Sequence, residues 1–201
     1  MNKIKLVVYF FGILFLASCS YNIKPIPTDP LDISRAQRGQ FDGNSELTIQ
    51  TRTPLAVSAD NQSSMACKPY NYTVDLTESI NGTLTDYFAL VFNGKDNPKY
   101  SISLLISDLK VDFKDNNEFE RLLMGVFAGK PNLSSRSFVS IDVKINKDGH
   151  IVFDKKLKAE GTNSSTYFTC SDIVVSIRNS VSNMVAKLIN KLDSSVYLIA
   201  R

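Results

Sequence analysis

The sequence VSIDVKINKDGHIVFDKKL, residues 139–157, contains the pattern that decides the fold. Apolar and polar side chains alternate on both sides of Asp148-Gly149, with the period of two that is typical of a half-buried β-strand. An Asp-Gly pair favours a two-residue hairpin turn because both of its positions need a positive φ. The stretch therefore predicts a long antiparallel hairpin with one apolar face.

A second long strand is predicted upstream of this hairpin, over residues 100–113. Its apolar positions alternate and change parity at Asp108; they are Tyr100, Ile102, Leu104, Ile106, Leu109, Val111 and Phe113. A one-residue slip of this kind is what a β-bulge produces. A shorter alternation at Leu47, Ile49 and Thr51 predicts a further strand.

Two segments have the helical period instead. Residues 75–92 place their apolar side chains on one face, and Asp75 with Glu78 resembles a capping pair. Residues 171–192 repeat apolar side chains at intervals of three and four, which predicts a long amphipathic helix. Thr169 and Asp172 resemble the capping box of this second helix.

The order of strand, helix, long strand, hairpin and helix predicts an α+β fold. We expect an antiparallel sheet with the two amphipathic helices packed on one face. No internal repeat is visible, so residues 45–201 are interpreted as a single domain.

The amino terminus has the pattern of an export signal. Lys3 and Lys5 precede an apolar run over residues 6–17, which as a helix would rise about 18 Å and is too short for a bilayer core of about 30 Å. The following Leu16-Ala17-Ser18-Cys19 resembles the bacterial lipobox. The resemblance implies that residues 1–18 are a lipoprotein signal peptide and that Cys19 carries the lipid. The alternative is an ordinary secretory peptide in which Cys19 is incidental.

The segment 19–44 contains three prolines and two glycines without sustained periodicity, which predicts a lipidated flexible tether. Ser20 follows the cysteine, whereas an aspartate there commonly retains bacterial lipoproteins in the inner membrane. We therefore expect the protein to be anchored in the outer membrane, facing the periplasm, with several acyl chains giving stable attachment.

Two further cysteines, Cys67 and Cys170, remain in what would be an oxidising compartment. They predict one disulfide, with two separate buried thiols as the alternative. No Cys-x-x-Cys pair is present, which argues against redox catalysis.

The element order resembles the fold of the TolB N-terminal domain and of small envelope lipoproteins, including the YajG-like and PqiC-like transport-auxiliary groups. The stretch RLLMGVFAG at residues 121–129 resembles an uncharacterised lipoprotein group with Arg-x-x-x-Gly-x-Gly-x-Gly before a strand pair. Here Phe127 replaces the middle glycine. A tight connection between the long strand and the hairpin is the simpler interpretation of this stretch.

Composition and motifs disfavour several classes of function. The chain has 23 Lys and Arg against 20 Asp and Glu, a balance that makes nucleic acid a poor partner. One histidine and three cysteines predict no metal site and no cofactor. His150 lies just past the predicted turn, where an exposed polar residue is expected. Asp108 and Asp112 on the long strand, and the acidic residues beyond it, Asp115, Glu118 and Glu120, are interpreted as a solvated strand face and loop rather than as a carboxylate pair.

These observations predict no enzyme and no catalytic residue. The leading hypothesis is an accessory or structural subunit of a periplasmic envelope assembly that acts through protein contacts, as TolB-like domains do by resemblance. Lys144 and Lys156, on the solvent side of the hairpin, are the candidate partner surface. The alternative, implied by the PqiC-like resemblance, is a lipid-handling auxiliary of a transporter with an apolar groove between helices and sheet.

Overall fold

The computed structural model describes residues 20–26, 41, 43–61, 71–92, 98–115, 132–166 and 169–197. The strands are β1 (Ser20–Ile23), β2 (Asn44–Thr51), β3 (Ala56–Ser58), β4 (Asp60–Asn61), β5 (Asn71–Asp75), β6 (Pro98–Asp115), β7 (Asn132–Lys147) and β8 (His150–Thr166). The helices are α1 (Thr83–Val91), which directly follows a π-helical turn (Glu78–Gly82), and α2 (Cys170–Tyr197). This is an α+β fold in which strands predominate.

The main sheet has the strand order β2-β6-β7-β8, and β4 pairs with the same edge of β6 as β2 does. The pairs β6–β7 and β7–β8 are antiparallel, whereas β2 and β4 run parallel to β6. The expectation of an antiparallel sheet is therefore wrong for these two strands. Alternation along one strand reports which face is buried and carries no information on the direction of the neighbouring strand.

The predicted hairpin is confirmed. Lys147 and His150 are register partners, and between them Asp148 and Gly149 have φ of 49° and 81°. Positive φ at both central positions is the requirement that Asp-Gly meets. The hairpin therefore turns where the sequence places it.

The predicted bulge is also present in β6. Ile106 pairs with Ile141 and Asp108 with Ser140, which leaves Ser107 as the extra residue. The Ser107 hydroxyl donates to the carbonyl oxygen of Ser140 at 3.2 Å. The bulge therefore keeps the apolar residues on both sides of it on one face.

A second irregularity occurs in β8. Ile145 pairs with Phe153 and Asn146 with Ile151, so Val152 is an extra residue beside the hairpin turn. The alternating pattern did not predict this second bulge, because Ile151, Val152 and Phe153 are all apolar.

Both helices contribute to one apolar core. α2 packs on β7 and β8, and α1 contacts β2 and α2. The buried strand residues share one face of the main sheet; they include Ile102, Leu104, Ile106, Leu109, Val111, Phe113, Val139, Ile141, Val143 and Ile145. The other face, hereafter the open face, carries the polar residues of the alternation.

The first predicted helix begins later than expected. Asp75 ends β5, and its carboxylate accepts the backbone N–H of Thr77 at 3.1 Å, so the predicted pairing with Glu78 is replaced by a local turn. The second helix is longer than predicted. The carboxylate of Asp172 accepts the backbone N–H of Thr169 at 2.9 Å, as the predicted capping box requires.

A second, three-stranded sheet has the order β1-β5-β3, with β1 parallel and β3 antiparallel to β5. Its first strand lies inside the segment expected to be a tether. Ile23 is fully buried, and the rings of Tyr21 and Tyr72 stack with centroids 5.3 Å apart. At the other end of that segment Phe41 is buried and stacks on Phe92 at 4.7 Å.

The chain therefore departs from the expected tether at both described ends, and residues 27–40 lie outside the described residues. The folded unit includes Ser20–Ile23 as well as the described residues of the expected 45–201 region. The prolines at 25, 27 and 30 led to the prediction of a tether. The strand β1 precedes them, and its partner β5 lies about fifty residues farther along the chain.

Candidate interaction surface

Charged side chains of opposite sign alternate on the open face near the hairpin turn. Lys144 lies directly opposite Asp154, with Nζ 3.9 Å from Oδ2. Asp142 lies opposite Lys156, with Oδ1 3.8 Å from Nζ. The two lysines predicted as a partner surface thus lie on the same face, and each already has a carboxylate partner.

These ion pairs are half-exposed, which limits what they contribute to folding. Pairs of this kind stabilise a protein by about 0–1 kcal/mol because water and salt screen them. They can therefore exchange partners with an incoming charged surface at small cost to the fold. Farther from the turn, Arg136 and Glu160 form a tighter pair at 2.7 Å.

Apolar side chains lie beside this charged patch. Ile151 is 56% exposed and Val152 is 37% exposed. Ile151 is the register partner of Asn146 on the open face, and Val152 is the bulged residue. Isolated exposed apolar residues are ordinary, but two adjacent ones at a bulge next to paired charges form a mixed patch of the kind that protein interfaces use. We call Asp142, Lys144, Ile151, Val152, Asp154 and Lys156 the hairpin surface.

The outer edge of β8 is partly covered. Asn183 of α2 donates to the carbonyl oxygen of Thr162 at 2.9 Å, and Lys191 donates to that of Lys158 at 2.7 Å. These bonds satisfy backbone carbonyls that an edge strand would otherwise offer to another chain. They favour the open face over the strand edge as a place for a partner.

The predicted acidic and imidazole candidates do not come together. Asp108 pairs with Lys110 at 3.6 Å, while Asp112 is the register partner of Arg136. Four residues along a strand place these two aspartates about 13 Å apart. His150 is exposed beside the turn.

No group of three or more His, Cys, Asp or Glu suited to a metal ion occurs among the described residues. Several predicted features lie outside the described residues: Cys19, Cys67, Glu118, Glu120 and residues 121–129. Cys170 is the first residue of α2. Lipidation and the disulfide stay predictions.

One buried polar pair was missed by the sequence reasoning. Tyr87 of α1 and Asp193 of α2 are buried, and neither the tyrosine hydroxyl nor Asp193 Oδ1 has a hydrogen-bond partner among the described residues. Burial raises the pKa of the Asp193 carboxyl, and the nearby Tyr87 hydroxyl opposes part of that rise. Burial also raises the pKa of Tyr87, and the charge of Asp193 adds to the effect. The burial of Asp193 could have been predicted from the sequence, because Asp193 follows Val185 and Ile189 at intervals of four on the apolar face of the helix.

The fold is similar to that of a Xanthomonas campestris protein of the DUF330 family. The two chains are 8% identical, with a TM-score of 0.50 over 88% of this chain and 97% of the other. A minor lipoprotein from Acinetobacter baumannii aligns with a TM-score of 0.42 and 10% identity, over 74% of this chain and 90% of the other. No family model and no curated protein matches the sequence. Within the described part of the chain, no helix combines the length and hydropathy of a membrane span.

Proposed function

We propose that the protein is a lipid-anchored accessory subunit of a bacterial envelope assembly, and that it holds a protein partner at the hairpin surface without catalysing a reaction. In this proposal the chain is processed at Cys19, lies on the periplasmic side of the outer membrane and uses no cofactor. The TolB-like resemblance, the lipobox and the short apolar run before it support the envelope location.

The observation that carries the binding role is the composition of the hairpin surface. Two half-exposed ion pairs lie next to two exposed apolar side chains on a rigid antiparallel scaffold. Charges around a small apolar centre orient the two partners of an interface and make their binding selective. The apolar contact adds affinity.

Charge reversal tests this role. Lys144→Glu combined with Lys156→Glu places glutamates beside Asp154 and Asp142, so a partner that reads this pattern should no longer bind. Because the pairs are half-exposed, the fold should lose no more than about 1 kcal/mol for each. Crosslinking in intact cells followed by mass spectrometry should recover less partner.

Two controls separate binding from stability. Arg178→Glu with Lys187→Glu reverses the same number of charges at exposed positions of α2 and should leave recovery unchanged. Lys144→Asp with Asp154→Lys keeps one ion pair and the net charge, yet should lower recovery because the pattern is altered. Full recovery from both hairpin variants, with the fold intact, contradicts the proposal.

The non-enzymatic part of the proposal has its own test. His150→Ala should leave the cellular phenotype unchanged, since the proposal gives the exposed imidazole beside the turn no role in proton transfer. Loss of function in this variant, at normal abundance and with an intact fold, would instead require a search for a substrate.

The lipid-handling alternative needs an apolar groove between the helices and the sheet. At Gly161 the backbone of α2 lies directly on β8, so that part of the interface has no space for an acyl chain. Stoichiometric binding of added phospholipid by the delipidated, refolded protein would favour the alternative over the protein-binding proposal.

A further inference from the structure

The chain enters the folded domain immediately after Cys19. Ser20 pairs with Asn71 and Ile23 with Val74, which makes the first residues after the cysteine a strand parallel to β5. Ile23 is fully buried, and Tyr21 stacks on Tyr72. An acyl group on Cys19 would therefore be attached to the edge of the folded unit, with no length of free chain between them.

The contacts of β5 show at which end of the main sheet β1 begins. Tyr72, next to Asn71, meets the ring of Phe113 edge-on with centroids 5.1 Å apart. Phe113 pairs with Ser135 of β7, whereas Lys147 at the hairpin turn pairs with Tyr100. From Ser135 to Lys147, β7 rises about 40 Å. β1 therefore begins at the end of the main sheet opposite the hairpin surface.

We propose that β1 mounts the domain directly on the lipid leaflet that holds the acyl chains of Cys19, so that the hairpin turn projects away from the membrane by roughly the length of the sheet. This inference rests on the proposed lipidation of Cys19. The surface around Ser20 and Asn71 faces the headgroups. The length of β7 and β8 sets the distance between the membrane and the hairpin turn, which a flexible tether would otherwise set. Such mounting presents the hairpin surface in one orientation, which raises its effective concentration toward a partner in the periplasm.

The test uses the full mature protein, acylated in cells and reconstituted in vesicles of phosphatidylethanolamine and phosphatidylglycerol. A fluorescent non-natural amino acid replaces Asn71 in one variant and His150 in another; both positions are exposed. Headgroup nitroxide lipids should quench the probe at position 71 several-fold more than the probe at position 150. Equal quenching at the two positions overturns the mounting.

A matched insertion distinguishes mounting from mere attachment. A flexible Gly-Ser segment placed between Cys19 and Ser20, beginning with serine, should abolish the difference in quenching while the mass of the amino-terminal peptide still shows acylation. A difference that survives the insertion shows that the linkage does not set the orientation, and overturns the proposal. Absence of the acyl group from the uninserted protein overturns the proposed anchoring itself, whereas an acylated protein with equal quenching overturns only the mounting.

Discussion

Gly161 of β8 lies directly beneath Ser180 of α2. A Cβ atom built on Gly161 would overlap the carbonyl oxygen of Ser180 and the backbone nitrogen of Met184. The helix and strand backbones therefore meet at this point, and serine side chains fill the space on one side of it. Ser137 of β7 and Ser180 share a buried hydrogen bond of 2.7 Å.

Gly161→Ala should destabilise the domain, because neither backbone partner can move without displacing α2 from the sheet. Overpacking of this kind costs about 1–3 kcal/mol or more. The matched control is Gly82→Ala, where the backbone is already helical and nothing lies within 4 Å of the added methyl group. This control should stabilise the domain by up to about 1 kcal/mol. Urea unfolding measures both; equal stabilities of the two variants would contradict the close approach.

The serine pair predicts an asymmetric response. Ser180 also donates to the carbonyl oxygen of Ile177 at 2.9 Å, so Ser137 must be the donor in the bond between the two hydroxyls. Ser180→Ala therefore removes the acceptor of a buried donor and should cost about 1–3 kcal/mol, whereas Ser137→Ala should cost about 1 kcal/mol. The double variant should lose no more than Ser180→Ala alone. Strict additivity in a double-mutant cycle would show that the hydroxyls do not interact.

Asp193 predicts a pH dependence of stability. Burial raises the pKa of its carboxyl above the ordinary 3.8, so the folded state keeps a proton that the unfolded state releases. The resulting stability is fully present below that ordinary value and is lost as the pH rises through the folded pKa. Asp193→Asn should remove this dependence, and the exposed Asp86→Asn is the control for loss of charge. Urea midpoints from about pH 3 to about pH 8 measure it; an unchanged profile in Asp193→Asn would rule out the buried carboxyl as its source.

Cys67 and Cys170 should form one disulfide in protein isolated from the periplasm. The bond would close a loop of about one hundred residues, and the chain-entropy model gives such a loop roughly 4–5 kcal/mol. A non-reducing peptide map should show the two cysteine peptides linked. Finding both thiols free in that material would reject the pairing.

Local patterns allowed a large part of the fold to be predicted. Asp148-Gly149 determines its own backbone conformation, and the slip at Asp108 records the bulge because the alternation continues on both sides of it. The periodicity of α2 is similarly local, since its buried residues lie at helical spacing within one segment.

Features that depend on distant pairing could not be predicted in the same way. β1 has four residues and acquires its conformation only by pairing with β5. The alternation of Tyr21 and Ile23 is too short to be recognised as a strand beside the prolines that follow. The parallel direction of β2 is likewise a property of the pair. For the hairpin surface, the sequence predicted that Lys144 and Lys156 lie on the solvent side, where the structure has them, but it could not show that Asp154 and Asp142 lie opposite them.

Metabolic labelling with a fatty acid shows directly whether Cys19 carries a lipid, on which the envelope location and the direct mounting through β1 both depend. The unaltered protein should incorporate the label, and Cys19→Ser should incorporate none and accumulate as unprocessed precursor. Cys67→Ser with Cys170→Ser, which leaves Cys19 as the single cysteine, should still be labelled. Incorporation of the labelled fatty acid by Cys19→Ser would show that the lipid is attached elsewhere and would rule out anchoring through Cys19.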